Sequence, residues 1–314
     1  MLTKDSADLA QKKLLSDVLG DVSSYVSKGE VATYIPALAK VPLNKLAIAT
    51  ADYRGIESSA GDFGEKFSIQ SISKMFTLSF VLGSGLGRKV WQRVGREPSG
   101  DPFNSIMLLE GEKGIPRNPF INAGALVIAD ILCTATKGQD PVVPLLAMLT
   151  NLVGEPVYID LDVADSEERS GYKNKALANF LKSYGNLEND VDEVLDLYFK
   201  QCSIAMNTTQ LARAARFLAF DGVDPLTQNK IITAEDARRV NALMLMAGTY
   251  DAAGAFAFEI GIPCKSGVGG GIIGVVPDST TVCVWSPGLD ATGNSLAGRA
   301  ALASFVARSG LSVF

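Results

Sequence analysis

The apolar pattern of this chain changes period twice, and that alternation restricts the fold more than any composition value. Residues Leu14, Leu15, Val18, Leu19, Val22 and Val26 recur at helical spacing, and Gly29 is expected to stop that first helix. Two strands are predicted next, at Leu46–Ala51 and Lys66–Gln70, separated by turn-rich stretches around Arg54-Gly55 and Gly61-Asp62. A helix is expected from Ser71, with Ile72, Met75, Phe76 and Phe80 on one face. From about residue 90 to 250 nearly every periodic segment is helical, as in Ala123–Thr136, Val191–Cys202, Thr208–Phe220 and Ala234–Met246. The last part turns strand-like at Phe256–Pro263, Gly271–Val276 and Thr280–Trp285, and Ser295–Arg308 reads as a closing helix. Strands early, helices through the middle and strands again late predict a discontinuous sheet interrupted by a helical insertion. The length of 314 residues allows about two domains of roughly 150 residues, or one large one. With no repeat and no Pro/Ser-rich linker, a single cooperative unit of two lobes is expected: a sheet lobe at about 1–85 and 250–314, and a helical lobe at about 86–249.

Composition narrows the chemistry. The chain is 47% hydrophobic and 20% charged, which suits a globular protein with a sizeable core. Its net charge of -5 offers no basic surplus for nucleic acid or an anionic membrane, so neither is an expected partner. No window approaches about 18 uninterrupted apolar residues, so no membrane span is expected. Met1–Gly29 carries Lys4, Asp5, Asp8, Lys12, Lys13, Asp17 and Asp21 and no apolar core, which is unlike an export signal. Cys133, Cys202, Cys264 and Cys283 stand singly, without a C-x-x-C pair, and read as free thiols in a reducing compartment. The expected location is cytoplasmic. The chain contains no histidine. A Ser-His-Asp or Cys-His machine and histidine-ligated zinc are therefore excluded, and a general base must be Lys, Glu, Asp or Tyr. No metal or cofactor is expected.

A serine nucleophile without histidine can use a lysine one helical turn away, and Ser71-Ile72-Ser73-Lys74 supplies that spacing. The start of the helix would add backbone N–H groups and a positive dipole end, favouring an oxyanion and lowering the lysine pKa. The same residues also read as a helix N-cap and a solvated charge. A second Ser-x-x-Lys, Ser170–Lys173, shows how little the spacing says alone. Lys265-Ser266-Gly267 adds weight, because Ser-x-x-Lys early and Lys-Ser/Thr-Gly late on a strand is the pairing of penicillin-recognising serine hydrolases. Such a strand would lie along the site, its N–H beyond the serine completing an oxyanion hole, with Lys265 a candidate cation that lowers the pKa of Lys74. Gly269–Gly274 matches G-x-G-x-x-G, but a strand rather than a helix follows, so it is not a dinucleotide loop. Those glycines are expected to let a strand approach substrate closely. Gly83–Gly87 lacks the Gly-Lys-Ser/Thr ending of a P-loop and reads as a turn between helices.

Several segments in fixed order carry a more specific likeness. They begin with Val31–Pro36, Gln70–Lys74, Glu97–Gly100 and Ile121–Gly124, and continue through Ser166-Glu167, Ser170-Gly171 and Asn174. Asp196–Phe199, Gln201–Ser203, Gly248–Asp251, Lys265–Val268, Trp285–Pro287 and Gly293–Ser295 complete the set, from about residue 30 to 300. On these the chain resembles the serine-dependent glutaminases. That resemblance implies an α+β fold like that of serine β-lactamases and DD-peptidases, with an antiparallel sheet lobe flanked by helices and an inserted all-helical lobe. It implies hydrolysis of L-glutamine to L-glutamate and ammonia by a homodimer or homotetramer. Ser71 would be the nucleophile, Lys74 its base and Tyr250 an aid to proton movement. Tyr34, Gln70, Asn122, Glu167, Asn174 and Tyr198 would hold glutamine alongside Ser71, Tyr250 and Val268, and the N–H groups of Ser71 and Val268 would form the oxyanion hole. The chemistry is apt: an α-ammonium wants a carboxylate, and an α-carboxylate wants Asn and Tyr donors. Glu167-Glu168-Arg169 departs from the family's commoner Glu-Arg-Glu, so Glu167 rather than Glu168 follows from register with Ser166 and Ser170-Gly171. A penicillin-recognising acyl hydrolase and a non-catalytic ligand-binding sensor of the same fold are the alternatives.

Overall fold

A computed structural model describes residues 4–99 and 106–314. Gly100, which ends the Glu97–Gly100 segment, and Met1–Thr3 lie outside the described residues. Helix α1 (Lys4–Val22) comes first and buries Leu15, Val18 and Val22. It ends before Gly29, because Ser23 Oγ donates to the Gly20 carbonyl and the Ser23–Tyr25 turn tightens to a 3₁₀ helix. A long connection then leads to strands β1 (Ala47–Asp52) and β2 (Glu57–Gly61). Strand β3 covers only Phe67–Ser68, shorter than the expected Lys66–Gln70. A 3₁₀ turn over Gln70–Ile72 follows, and helix α2 starts at Ser73 and runs to Val81.

The middle is helical. It holds α3 (Gly87–Arg93), α4 (Ile106–Gly111), α5 (Asn122–Ala135) and α6 (Val142–Val153), then the short strand β4 (Tyr158–Ile159). Helices α7 (Leu161–Ser170), α8 (Tyr172–Ser183) and α9 (Val191–Cys202) precede strand β5 (Ile204–Met206). Helices α10 (Thr208–Ala219), α11 (Ala234–Ala247) and α12 (Ala253–Glu259) lead back to the sheet. The Asn207 side chain and Gln210 form a capping box at the start of α10, as a helix entering the core needs. The Gly83–Gly87 stretch is not a plain link: Leu82–Leu86 forms a π-helical turn and Gly87 opens α3. Strands β6 (Cys264–Ser266), β7 (Gly271–Val276) and β8 (Thr280–Trp285) and helix α13 (Leu296–Ser309) close the chain.

The main sheet is antiparallel, in the order β2-β1-β8-β7-β6. Ile48 pairs with Val284 and Ala47 with Trp285, so alternate side chains face opposite layers. Ile48, Ile272, Val282 and Val284 pack with Leu15, Val18 and Phe305 from α1 and α13, whereas Ala49, Ile273, Val275 and Cys283 face the helical side. The three inner strands β1, β7 and β8 are buried along their length because helices cover both faces. A second, small sheet in the order β3-β5-β4 joins the segment before Ser71 to the helical region. The fold is thus the α+β arrangement expected, a helix-flanked antiparallel sheet with a helical insertion. No helix among the described residues is long and apolar enough to cross a membrane.

Two expectations are corrected. Phe256–Pro263 is not a strand: Phe256 and Ile260 are buried while Phe258 is 93% exposed, so the burial period is four, and an alanine-rich helix satisfies it. The glycines at 269–271 serve the protein's own packing rather than approach to substrate. A Cβ on Gly269 would meet the Ser68 carbonyl at 2.3 Å, and one on Gly270, at φ +93°, would meet the Ser286 carbonyl at 2.4 Å. Nearby, Trp285 stacks on Phe67 at 5.0 Å and donates to the Gly269 carbonyl at 3.0 Å. These contacts lock the β6–β7 turn against the chain that leads to Ser71.

Gly270→Ala is expected to destabilise the protein by at least about 1–3 kcal/mol in urea unfolding, from backbone strain alone. Gly20→Ala, where nothing lies within 4 Å of the added methyl, is expected to stabilise α1 by about 0.5–1 kcal/mol and leave turnover unchanged. Equal midpoints for the two variants would contradict this packing.

Candidate active site

The Gln70–Ile72 turn, the start of α5, the α7–α8 corner, the end of α9 and the β6–β7 turn converge on a cavity of about 480 Å³. Ser71 lies on its wall, carried by the turn that joins β3 to α2. Ser71 is not the N-cap of α2, because that position falls on Ile72 and no side chain caps it. Gln70 beside it holds φ +50°, a left-handed conformation that glutamine rarely takes. This backbone accounts for the early end of the expected strand.

Lys74 lies beneath the cavity and is 2% exposed. Its Nζ donates to the Phe120 carbonyl at 3.1 Å and to Asn122 Oδ1 at 2.7 Å. Asn122 Nδ2 in turn donates to Asn174 Oδ1 at 2.9 Å, so α5 and α8 are tied together at the lysine. Burial pushes the Lys74 amine down to about 8, partly opposed by Cys202 and Glu167. The first cause is burial and not the expected charge of Lys265. Lys265 is itself wholly buried, donates to the Gly248 and Ser266 carbonyls at 2.9 and 2.7 Å, and has its own pKa pushed well down by burial and then by Lys74.

Tyr250 faces Ser71 from the other side. The Ser71 hydroxyl and the Val268 N–H both hydrogen-bond its phenol oxygen, and that hydroxyl donates to the Ser266 carbonyl at 3.3 Å. Tyr250 also holds a left-handed φ of +57°, so strained backbone stands on both sides of the Ser71 oxygen. Val268 follows the Lys265–Gly267 segment and lines the cavity.

Glu167 points inward from α7 and is 6% exposed, while Glu168 faces solvent. Burial raises the Glu167 carboxyl to about 7, against a hydrogen bond from Gln70 and the pull of Lys74. Asn174 and Tyr198 line the cavity from α8 and α9. Tyr34 stands on the rim, 61% exposed, on a strap whose Ala32 and Ile35 pack with Val163, Tyr250 and Val268. The structure therefore brings all ten residues singled out in the sequence to one place, nine on the cavity wall and Lys74 under it.

Some neighbours were not anticipated. Ser170 and Lys173, the second Ser-x-x-Lys, also line the cavity, but Ser170 Oγ is occupied with the Ser166 carbonyl at 2.7 Å and Lys173 is exposed. Cys202 sits one turn beyond Tyr198 and hydrogen-bonds it, with burial holding its thiol up at about 12. The i, i+4 spacing of those two residues in the quoted motifs was the available signal. The Phe120 carbonyl left no signal, since any residue offers one. Chemically the cavity sets a hydroxyl and a carboxyl over a desolvated amine, groups that suit acyl transfer from an ammonium-bearing amide.

The Glutaminase family model matches residues 29–314. A glutaminase of Mesorhizobium japonicum is 50% identical over 301 residues, which cover 96% of this chain and 95% of that one. A glutaminase of Methylobacterium radiotolerans is 47% identical over 308 residues, 98% of this chain and 99% of its own. The probable glutaminase from Bacillus subtilis complexed with 6-diazo-5-oxo-L-norleucine superposes with a TM-score of 0.85 at 33% identity, covering 100% of this chain and 99% of that one. The chain thus belongs to the glutaminase family, a group of β-lactamase-like fold, and is an amidohydrolase that converts L-glutamine to L-glutamate and ammonia.

Proposed function

We propose that this hydrolysis runs through Ser71 and Lys74 and a γ-glutamyl ester. The observation that carries the reading is the amine: Lys74 is buried beside the Ser71 turn and lowered to about 8, so a fraction is neutral near pH 7. A neutral amine has two N–H bonds and one lone pair. The Phe120 carbonyl and Asn122 Oδ1 take both N–H bonds, which leaves the lone pair for the Ser71 proton.

Ser71 Oγ attacks the side-chain amide carbon of glutamine while its proton passes to Lys74. The carbonyl oxygen becomes an oxyanion held by the N–H groups of Ser71 and Val268. As the C–N bond breaks, the leaving nitrogen takes the proton from Lys74 by way of the Tyr250 hydroxyl and departs as ammonia. Water then attacks the ester, gives a proton to Lys74, and the Ser71 oxygen leaves with that proton as glutamate is released. The α-ammonium sits at the Glu167 carboxylate, and the α-carboxylate at hydroxyl and amide donors of Tyr34, Asn174 and Tyr198, with Gln70 beside Glu167. The four buried free thiols support a reducing, cytoplasmic setting, and the family resemblance supports a homodimer or homotetramer, which a solution mass would decide.

Ser71→Ala is expected to lower ammonia release by about 10⁴-fold or more with the fold intact by circular dichroism, while Ser170→Ala keeps turnover within about two-fold. Near-normal release from Ser71→Ala would remove the mechanism.

Glu167→Gln is expected to raise KM strongly, the lost ammonium partner costing roughly 2–5 kcal/mol, and Glu168→Gln to change little. The reverse order in paired saturation curves would shift the register by one residue.

The pH dependence follows from the two groups. Glutamine binds the ionised form of Glu167, so KM should fall as pH rises through about 7. Attack needs Lys74 neutral, so kcat should rise through about 8. Lys74→Arg, charged at every accessible pH, should abolish both turnover and the limb. A kcat that is flat between those values would contradict the amine as base.

A further inference from the structure

Behind Tyr250, outside the cavity's inner wall, the Asn294 side chain hydrogen-bonds three other residues. This side chain is fully buried. Its Oδ1 accepts from Ser266 Oγ at 2.5 Å, and its Nδ2 donates to the Thr249 carbonyl at 3.1 Å and to Thr292 Oγ1 at 2.9 Å. Both ends of Tyr250 are reached in this way. The Thr249 carbonyl opens the 3₁₀ turn of Tyr250 through the Ala252 N–H at 3.2 Å, and Ser266 supplies the carbonyl that accepts the Tyr250 hydroxyl at 3.3 Å. Gly293, next to Asn294, faces the ring between those ends, where an added Cβ would come to 3.8 Å from it and 3.9 Å from Val268 Cγ1.

We propose that Asn294 is a positioning residue for the reaction, bridging Ser266 to the Thr249–Tyr250 turn so that the Tyr250 phenol oxygen stays between the Ser266 carbonyl, the Ser71 hydroxyl and the Val268 N–H. The proposal rests on the roles given above to Ser71, Tyr250 and Val268. A left-handed tyrosine relaxes toward negative φ unless its surroundings oppose it. Only a carboxamide meets the demand here, because Ser266 needs an acceptor and the Thr249 carbonyl needs a donor. A carboxylate keeps the first contact and turns the second into repulsion. The turn that carries Asn294 is separately braced, with Asp290 Oδ1 accepting from the N–H groups of Thr292 and Asn294 at 2.8 and 3.1 Å.

The test compares Asn294→Ala, Asn294→Asp and Thr292→Ala with the intact enzyme, in kcat, KM and pH profile, at a temperature where each is folded by circular dichroism. Asn294→Ala is expected to lose about 10–100-fold in kcat with KM within about two-fold, less than the 10²–10³ of deleting an oxyanion donor outright. Asn294→Asp is expected to approach intact turnover at acid pH, where a protonated carboxyl can donate to Thr249, and to fall away from it as pH rises. Thr292→Ala, which loosens the turn but leaves the bridge, should lower the melting temperature and keep kcat. Should Asn294→Ala fail to fold, the Asp variant decides: a ratio to intact kcat near one at every pH overturns the proposal. So does equal loss of kcat in Thr292→Ala and Asn294→Ala, which would mean general loosening. Full turnover in Ser71→Ala overturns the underlying mechanism instead, whatever the Asn294 variants do.

Discussion

Desolvation of one amine organises this protein. Lys74 lies at the meeting of α2, α5 and α9, and a charged ammonium there would forgo several kcal/mol of hydration. The fold does not answer with a paired carboxylate. It answers with a backbone carbonyl and an asparagine oxygen, which suit a neutral amine as well as a charged one. Much of the surrounding architecture serves that choice. The loop before α5 presents the Phe120 carbonyl, Asn122 opens α5, and Asn174 on α8 fixes the asparagine's orientation. Glu167 obeys the same rule from the acid side, since removal from water lifts it toward neutrality until an ammonium arrives.

How far the sequence foretold this depends on the kind of signal. Helix α9 has the bounds its apolar period predicts, Val191–Cys202, and strands β7 and β8 match as well, because a buried face leaves a regular stripe. Phe256–Pro263 misled because alternating Ala and Phe mimic a strand, and only burial distinguishes a period of two from one of four. Lys66–Gln70 misled because a left-handed glutamine cannot be read from composition. Ser71 and Lys74 were visible as a spacing, while Glu167 and the tyrosines became visible through family likeness alone. Family membership also decides among the three readings, in favour of glutamine over a penicillin-type substrate or a silent sensor. Backbone acceptors such as Phe120 and the bridging role argued for Asn294 left no trace in residue pattern, since they depend on where distant segments meet.

Strain at Gln70 and Tyr250 has a structural counterpart in the packing around them. The β6–β7 turn is pressed against the 67–70 segment by its glycines and by Trp285, and the strap bearing Tyr34 is held to α7 by the Ala37 N–H on Ser166 Oγ at 3.2 Å. Two unfavourable backbone conformations persist because close packing leaves them nowhere to relax. The rim differs: Tyr34 is largely exposed, and Tyr172 and Lys173 beside it face solvent. Close packing is thus concentrated at the floor and exposure at the mouth.

The interleaved sheet also carries a consequence in time. Strand β8 lies between β1 and β7, and the Thr281 hydroxyl meets the Ala51 carbonyl across 230 residues of chain. Such distant pairing must close a long loop before it is rewarded, which slows folding. A chain emerging from a ribosome can assemble its helical middle early and pair β1 with β2, yet the other edge of β1 must wait for β8 to be made. Val268, Tyr250 and Asn294 belong to that last portion or pack on it. The cavity's last walls are therefore completed in the same event that zips up the sheet.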